Sequence, residues 1–154
     1  MDPRLVAYFV EYTDSHRHPT NRLTHKVAIP MIVFHVLAML DWIRLVEGGG
    51  YWLSVGHVAA VAGLAWYARL SPRLAAWMAL AFAICFAIAS VTPPLVVVAV
   101  AIVGWIVQLA GHVVWEKRSP AFLRNALQTL IGPLYFLALL TGDWPLSRQP
   151  ETGV

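Results

Sequence analysis

The chain has 154 residues, of which 59% are hydrophobic and 12% charged, and its formal net charge is +3. Soluble domains carry roughly 25% charged residues, so this chain has too little charge to cover a water-facing surface, and a polytopic membrane protein is predicted. Most of the basic residues lie at the ends of apolar runs, where membrane topology explains them, so the positive charge does not indicate binding to nucleic acid.

The apolar runs predict an all-α fold, a polytopic membrane helical bundle that forms a single domain over residues 1–154. Residues 1–26 are polar, and Pro19 is expected in the first turn of a helix that carries Asn21 and His25 towards the membrane. Four transmembrane helices are expected, then a fifth that spans or re-enters, and then a loose tail at 141–154. The five segments are expected at about 27–46, 51–68, 74–92, 95–116 and 121–140.

The distribution of basic residues predicts the topology. If the spans simply alternate, nine of the 11 Lys and Arg residues fall on one side, which the positive-inside rule assigns to the cytoplasm. The N-terminus and the polar residues that end the fourth span are therefore expected at the cytoplasmic face of the cytoplasmic membrane in a bacterium, or of the endoplasmic reticulum in a eukaryote.

Two polar clusters, far apart in the sequence, are expected to meet at this face. Gln108, His112 and Glu116 follow one another at i, i+4 and i+8, so they share one face of a helix, and Gly111 would allow a close approach beside them. Polar groups in hydrocarbon are costly unless they are partnered, solvated or metal-bound. Each cluster could also lie at a helix end merely as it leaves the membrane.

The other cluster contains His16, Asn21 and His25. Several imidazoles with a carboxylate, at a membrane surface and without cysteine ligands, favour a first-row metal such as Fe(II) or Zn(II). The spacings include neither an H-E-x-x-H pair nor a C-x-x-C pair, so they do not by themselves select one metal or one reaction.

In order along the chain, the motifs are His16-x4-Asn21-x3-His25 with Pro30, Gln108-x2-Gly111-His112-x3-Glu116-Lys117-Arg118-x-Pro120-Ala121, and Asn125-x2-Gln128. Their order and spacing resemble the Mpo-like family of small membrane proteins, which are similar to the fungal 2-hydroxy fatty acid dioxygenase of phytosphingosine breakdown. Ala28 stands where the family pattern has a glycine, and His18 receives no family role.

The resemblance implies Fe(II)-dependent α-oxidation, in which O2 cleaves a 2-hydroxy fatty acid into CO2 and a fatty acid one carbon shorter. The alkyl tail would lie between the helices, in the lipid bilayer. The expected metal ligands are His16, His25 and His112. Glu116 is either the carboxylate ligand or an acceptor that orients His112. The candidate catalytic residues that accompany the ligands are Glu116, Asn21 and Gln108.

The substrate carboxylate would be received by a basic residue at the same membrane face. The candidates are Arg17, Arg22 and Lys117, which also fit as plain helix-end anchors.

Three other functions remain open at this point. His35 and His57 lie inside neighbouring spans and could hold a b-type haem. The polar clusters could instead join helix ends through hydrogen bonds in a non-enzymatic lipid-binding or scaffold protein. A zinc-dependent membrane hydrolase could use Glu116 as its general base, and dependence on O2 would distinguish an oxygenase from this hydrolase.

Overall fold

The computed structural model describes residues 2–117 and 127–144. The chain divides into two compact units, and each is described by itself. One unit combines the described residues of Met1–Pro30 and Val103–Val154, and the other is Met31–Ile102.

The first unit begins with helix α1, Pro3–Asp14, within the segment that the sequence presented only as polar. The Asp2 carboxylate caps this helix by accepting the Arg4 backbone N–H at 2.8 Å, and Pro3 occupies the first helical position. The buried residues of α1 recur at helical spacing, so α1 is an amphipathic helix that packs against helix α6, Gln128–Leu140. They are Leu5, Phe9, Tyr12 and Thr13.

Helix α2, Pro19–Asp41, starts at the predicted proline and carries Asn21 and His25, as expected. Its first part, to Pro30, belongs to the first unit. Helix α5, Pro94–Ala110, continues into a π-helical turn at Gly111–Glu116, and α6 spans Gln128–Leu140. The tail expected to be loose starts with a turn in which Trp144 is buried against Phe9 at 5.2 Å between ring centroids, and 145–154 lie outside the described residues.

The described residues are mostly helical, as predicted, but the second unit adds a β-hairpin that the all-α prediction did not include. Strands β1, Arg44–Gly48, and β2, Tyr51–Ser54, form an antiparallel hairpin where the sequence predicted the end of one span and the start of the next. Gly49 and Gly50 form the turn with φ of 59° and 80°, which favours glycine at both positions. Helix α3, Val55–Leu70, and helix α4, Pro72–Ala89, then pack against each other.

Within the described residues, three helical stretches are long and apolar enough to cross a membrane: Pro19–Asp41, Pro72–Ala89 and Pro94–Glu116. The four expected transmembrane helices are therefore not confirmed. The expected second span is shortened because the hairpin takes its first residues, which leaves α3 with 16 residues. The expected fifth segment is the shorter apolar helix α6, and its start at 121–126 lies outside the described residues.

Candidate metal centre

Three imidazoles from distant parts of the sequence meet in the first unit. His16 follows α1, His25 lies in α2, and His112 lies in the π-helical turn. One ring nitrogen of each lies within 4.8 Å of the others, and all three side chains are buried. The ring centroids are 4.5–4.9 Å apart. The structure thus brings together the three residues expected to be metal ligands, which could hold a metal ion.

Backbone carbonyls fix the orientation of two of these rings. Nδ1–H of His16 donates to the Tyr12 carbonyl at 2.7 Å, and Nδ1–H of His25 donates to the Asn21 carbonyl at 2.8 Å. Each acceptor lies four residues before its histidine. With the proton on Nδ1, Nε2 carries the lone pair, which is the form that binds a metal.

The inward nitrogens are spaced as ligands of one ion would be. Nε2 of His25 lies 3.0 Å from Nε2 of His112. Two nitrogens bonded to one ion at about 2.1 Å and at right angles to each other would lie about 3 Å apart. Two facing lone pairs repel unless a proton or a cation lies between them, so the residues present fit a metal ion.

Burial favours the neutral form of the first ligand. His16 is 4% exposed, and its ring stacks on Tyr12 with centroids 4.0 Å apart. Burial lowers the pKa of His16 to about 4. The ring is therefore neutral at physiological pH, as a metal ligand must be.

Several buried polar atoms around the triad have no hydrogen-bond partner in the part of the chain that the structure describes. They are Nδ1 of His112, Oε1 of Gln108, Oδ1 of Asn21 and the Tyr12 hydroxyl. The amide nitrogen of Gln108 lies 2.7 Å from Nε2 of His25. Unsatisfied buried polar groups are rare in folded proteins, so this concentration also indicates a site built for a ligand.

The Glu116 carboxylate binds the segment that carries His16. It accepts the backbone N–H groups of Arg17 and His18, both at 3.0 Å, and the side-chain amide of Asn21 at 2.9 Å. The metal-ligand cluster in the described residues comprises the three histidines without Glu116. Nδ1 of His112 has no partner among the described residues, so the structure does not show Glu116 orienting His112, which was one of the two roles expected for Glu116.

Gly111 lets the π-helical turn approach α2 closely. A Cβ at this position would run into Oγ1 of Thr24 and Oδ1 of Asn21. The expected close approach beside His112 is therefore present. π-Helical turns are rare and occur frequently at functional sites, and this one ends at Glu116 and is followed by Lys117, whose φ is 53°.

A cavity of about 330 Å³ adjoins the triad and is lined by His16, His25 and Tyr12, among others. Of the basic residues expected to bind substrate, Arg22 lines this cavity. The Arg17 guanidinium forms an exposed ion pair with Asp14 at 3.1 Å, and Lys117 is exposed at the end of the π-helical turn. Within the described residues, neither is among those that line the cavity.

Sequence reasoning missed two residues of this region. Tyr12 lies four residues before His16, and Lys26 lies four residues after Arg22 on α2; both line the cavity. The same i, i+4 spacing that grouped Gln108 with His112 could have found both of them. Burial raises the pKa of Tyr12, so its hydroxyl stays protonated.

The histidines of the haem alternative lie in the second unit and have local partners. Nδ1–H of His35 donates to the Met31 carbonyl at 3.0 Å, and Nδ1 of His57 lies 2.7 Å from the Ser54 hydroxyl. The motif residues Arg118, Pro120, Ala121 and Asn125 lie outside the described residues, whereas Gln128 is buried at the start of α6.

Comparison with known proteins agrees with the resemblance carried by these motifs. The family model for "2-hydroxy-palmitic acid dioxygenase Mpo1-like" matches residues 4–144. A protein of Saccharomyces cerevisiae named 2-hydroxy-palmitic acid dioxygenase MPO1 is 28% identical over 130 residues, which cover 82% of this chain and 72% of that protein. No solved structure matches the chain. The match covers nearly the whole described fold and includes all three clustered histidines, so the chain belongs to the Mpo1-like family.

Proposed function

We propose that this chain is an Fe(II)-dependent membrane dioxygenase that converts a 2-hydroxy fatty acid into CO2 and the fatty acid one carbon shorter. The observation that carries the proposal is the group of three buried imidazoles whose ligand atoms lie within 4.8 Å of one another. The family and the name of the yeast relative support a 2-hydroxy fatty acid as the substrate.

The overall reaction balances without another reductant. R–CH(OH)–COOH and O2 give R–COOH, CO2 and H2O. The bond between the carboxyl carbon and the carbinol carbon breaks, the carbinol carbon is oxidised to the new carboxyl group, and O2 receives the four electrons. Iron, when bound, would supply the one-electron chemistry that allows triplet O2 to react with a closed-shell organic molecule.

In this proposal, His16, His25 and His112 hold the metal through Nε2. The carbonyls of Tyr12 and Asn21 keep two of these nitrogens unprotonated, and burial excludes bulk water from the ligand atoms. These three neutral ligands would hold Fe(II), and the ion would supply the chemistry that O2 needs to react with a 2-hydroxy acid.

Glu116 is proposed to hold the segment after α1 in place through hydrogen bonds, and not to bind the metal. Its two oxygens already accept three hydrogen bonds, two of them from the backbone beside His16. Asn21 and Gln108 present buried oxygen atoms that have no partner within the described ranges, and these oxygens are proposed to accept hydrogen bonds from bound substrate. The site is proposed to face the cytoplasm, because basic residues flank it in both parts of the sequence, with Arg17 and Lys26 near its first two histidines and Lys117 after His112.

The test measures metal content and O2 uptake of the detergent-purified chain supplied with Fe(II) and 2-hydroxyhexadecanoic acid. Wild type should retain about one iron per chain and form pentadecanoic acid and CO2 in step with O2 uptake. His112→Ala should lose both properties, whereas the matched His57→Ala change in the second unit should keep them.

Other outcomes favour the alternatives. Bound zinc without O2 uptake would indicate a hydrolase, and a Soret band would indicate haem. The absence of any metal in wild type would contradict both metalloenzyme proposals and leave the lipid-binding scaffold.

A further inference from the structure

The cavity beside the triad carries a pair of positive charges. Arg22 and Lys26 both line it, and they lie one helical turn apart on α2, so their side chains project on the same side. Within the described residues, no aspartate or glutamate lines this cavity. The cavity is therefore electropositive and suited to an anion.

The same cavity touches the metal centre. His16 and His25, two members of the triad, form part of its wall. An anion held by the two cations would lie beside the ligand nitrogens, as the carboxylate of a chelating 2-hydroxy acid must. This arrangement joins charge recognition to the candidate metal centre in one cavity.

The remaining wall is mostly apolar. Leu23 from α2 and Phe136 and Leu139 from α6 contribute it. Leu23 is 60% exposed, although it lies in a helix that is apolar enough to cross a membrane. An alkyl chain leaving the cavity along these side chains would pass from the protein into lipid.

We propose that Arg22 and Lys26 form a carboxylate-recognition element that selects the free 2-hydroxy fatty acid over uncharged analogues, with Leu23, Phe136 and Leu139 holding the first methylene groups. This inference rests on the proposed function and adds Lys26 to its substrate-binding residues. Arg17 and Lys117 lie outside the element.

The experiment compares the equilibrium binding of tritium-labelled 2-hydroxyhexadecanoic acid with that of hexadecane-1,2-diol. It uses the full chain in neutral detergent, loaded with Fe(II) and kept without O2 so that the acid is not consumed. The variants are Arg22→Gln/Lys26→Gln, the charge-preserving Arg22→Lys/Lys26→Arg, and the control Arg69→Gln/Arg73→Gln, which removes two positive charges from the second unit.

Wild type should bind the acid at least about tenfold more tightly than the diol, because a carboxylate forms stronger, charge-assisted hydrogen bonds with the two cations than a neutral hydroxyl does. Arg22→Gln/Lys26→Gln should lose most of this preference through weaker binding of the acid, while its affinity for the diol stays unchanged. The charge-preserving variant and the control should keep the preference.

An undiminished preference in Arg22→Gln/Lys26→Gln would overturn the inference. Equal weakening of both ligands would also overturn it, because the cations would then maintain the cavity rather than recognise the carboxylate. If the preference is found and depends on the two cations but O2 uptake is absent, the recognition element stands and the dioxygenase proposal fails. If the chain takes up O2 and forms product but replacing the two cations does not change the preference for the acid, the dioxygenase proposal stands and the recognition element fails.

Discussion

The two compact units each contain a cluster of histidine and other polar side chains, and the clusters differ in how completely their hydrogen bonds are satisfied. In the second unit, the Ser54 hydroxyl donates to Asp41 at 2.5 Å and lies 2.7 Å from Nδ1 of His57. Ser54 and His57 also form a capping box at the start of α3. In the first unit, three imidazoles face one another, and unpartnered polar atoms of the described residues surround them. Polar side chains that hydrogen-bond to one another indicate a structural role, whereas buried polar atoms that lie close together without partners indicate a binding site for a ligand.

The largest expected difference between the clusters is in metal binding. His25→Ala removes a triad ligand and should lower iron affinity by more than the roughly 10–100-fold that is typical when a residue supporting a metal ligand is lost. His57→Ala breaks the capping box and should leave the iron content unchanged. Metal analysis after desalting would check both variants, and equal iron loss would contradict the distinction.

The role of Glu116 gives the next effect. Glu116→Gln replaces an acceptor oxygen by a donor that would face a backbone N–H or the Asn21 amide. Iron affinity should fall by about 10–100-fold because the segment carrying His16 is loosened.

Iron titration of Glu116→Gln, with thermal unfolding in parallel, would measure this effect. Complete loss of iron in a variant with unchanged thermal stability would instead favour Glu116 as a direct ligand.

One glycine in each unit tests how closely the chain packs around it. Gly111→Ala should destabilise the chain by about 1–3 kcal/mol, since its methyl group meets Thr24 and Asn21. Gly63→Ala is the matched control in α3, because a Cβ there meets nothing within 4 Å. It should stabilise the helix by up to about 1 kcal/mol. Thermal unfolding in detergent would compare them, and equal effects would contradict the close approach at Gly111.

The smallest expected effect is on stability and concerns the cluster of Ser54, His57 and Asp41 in the second unit. Ser54→Ala removes the cap of α3 and should cost about 0.5–2 kcal/mol of stability, with iron affinity and O2 uptake unchanged. Unfolding and activity measured on one preparation would check this. A loss of activity without a loss of stability would mean that the second cluster also has a chemical role.

Much of the site could be predicted from the sequence, because the polar residues within each cluster follow one another at helical spacing. The start of α2 at Pro19 and the meeting of His25 with His112 were predicted from helical periodicity and from a count of basic residues. The bond from Glu116 to the backbone of Arg17 and His18 could not be predicted, because backbone N–H groups leave no mark in a side-chain pattern.

The hairpin was missed because each of its strands overlaps the end of an apolar run that is long enough to cross a membrane. The apolar run expected at 27–46 included residues 44–46 of the first strand, and the run expected at 51–68 included Tyr51–Ser54, although the glycines between them are typical of a tight turn. The π-helical turn could not be predicted from periodicity either, since one extra residue per turn depends on the packing around Gly111.

The acceptors that set the tautomers of His16 and His25 belong to the main chain. Any residue at positions 12 and 21 supplies the same carbonyl, so the protonation pattern depends on the path of the backbone and is insensitive to most substitutions at those positions. The tautomers of the two rings therefore tolerate sequence change around them, provided that the helices and the three imidazoles are kept. Relatives that share only about a quarter of their residues with this chain can therefore preserve the same arrangement of lone pairs.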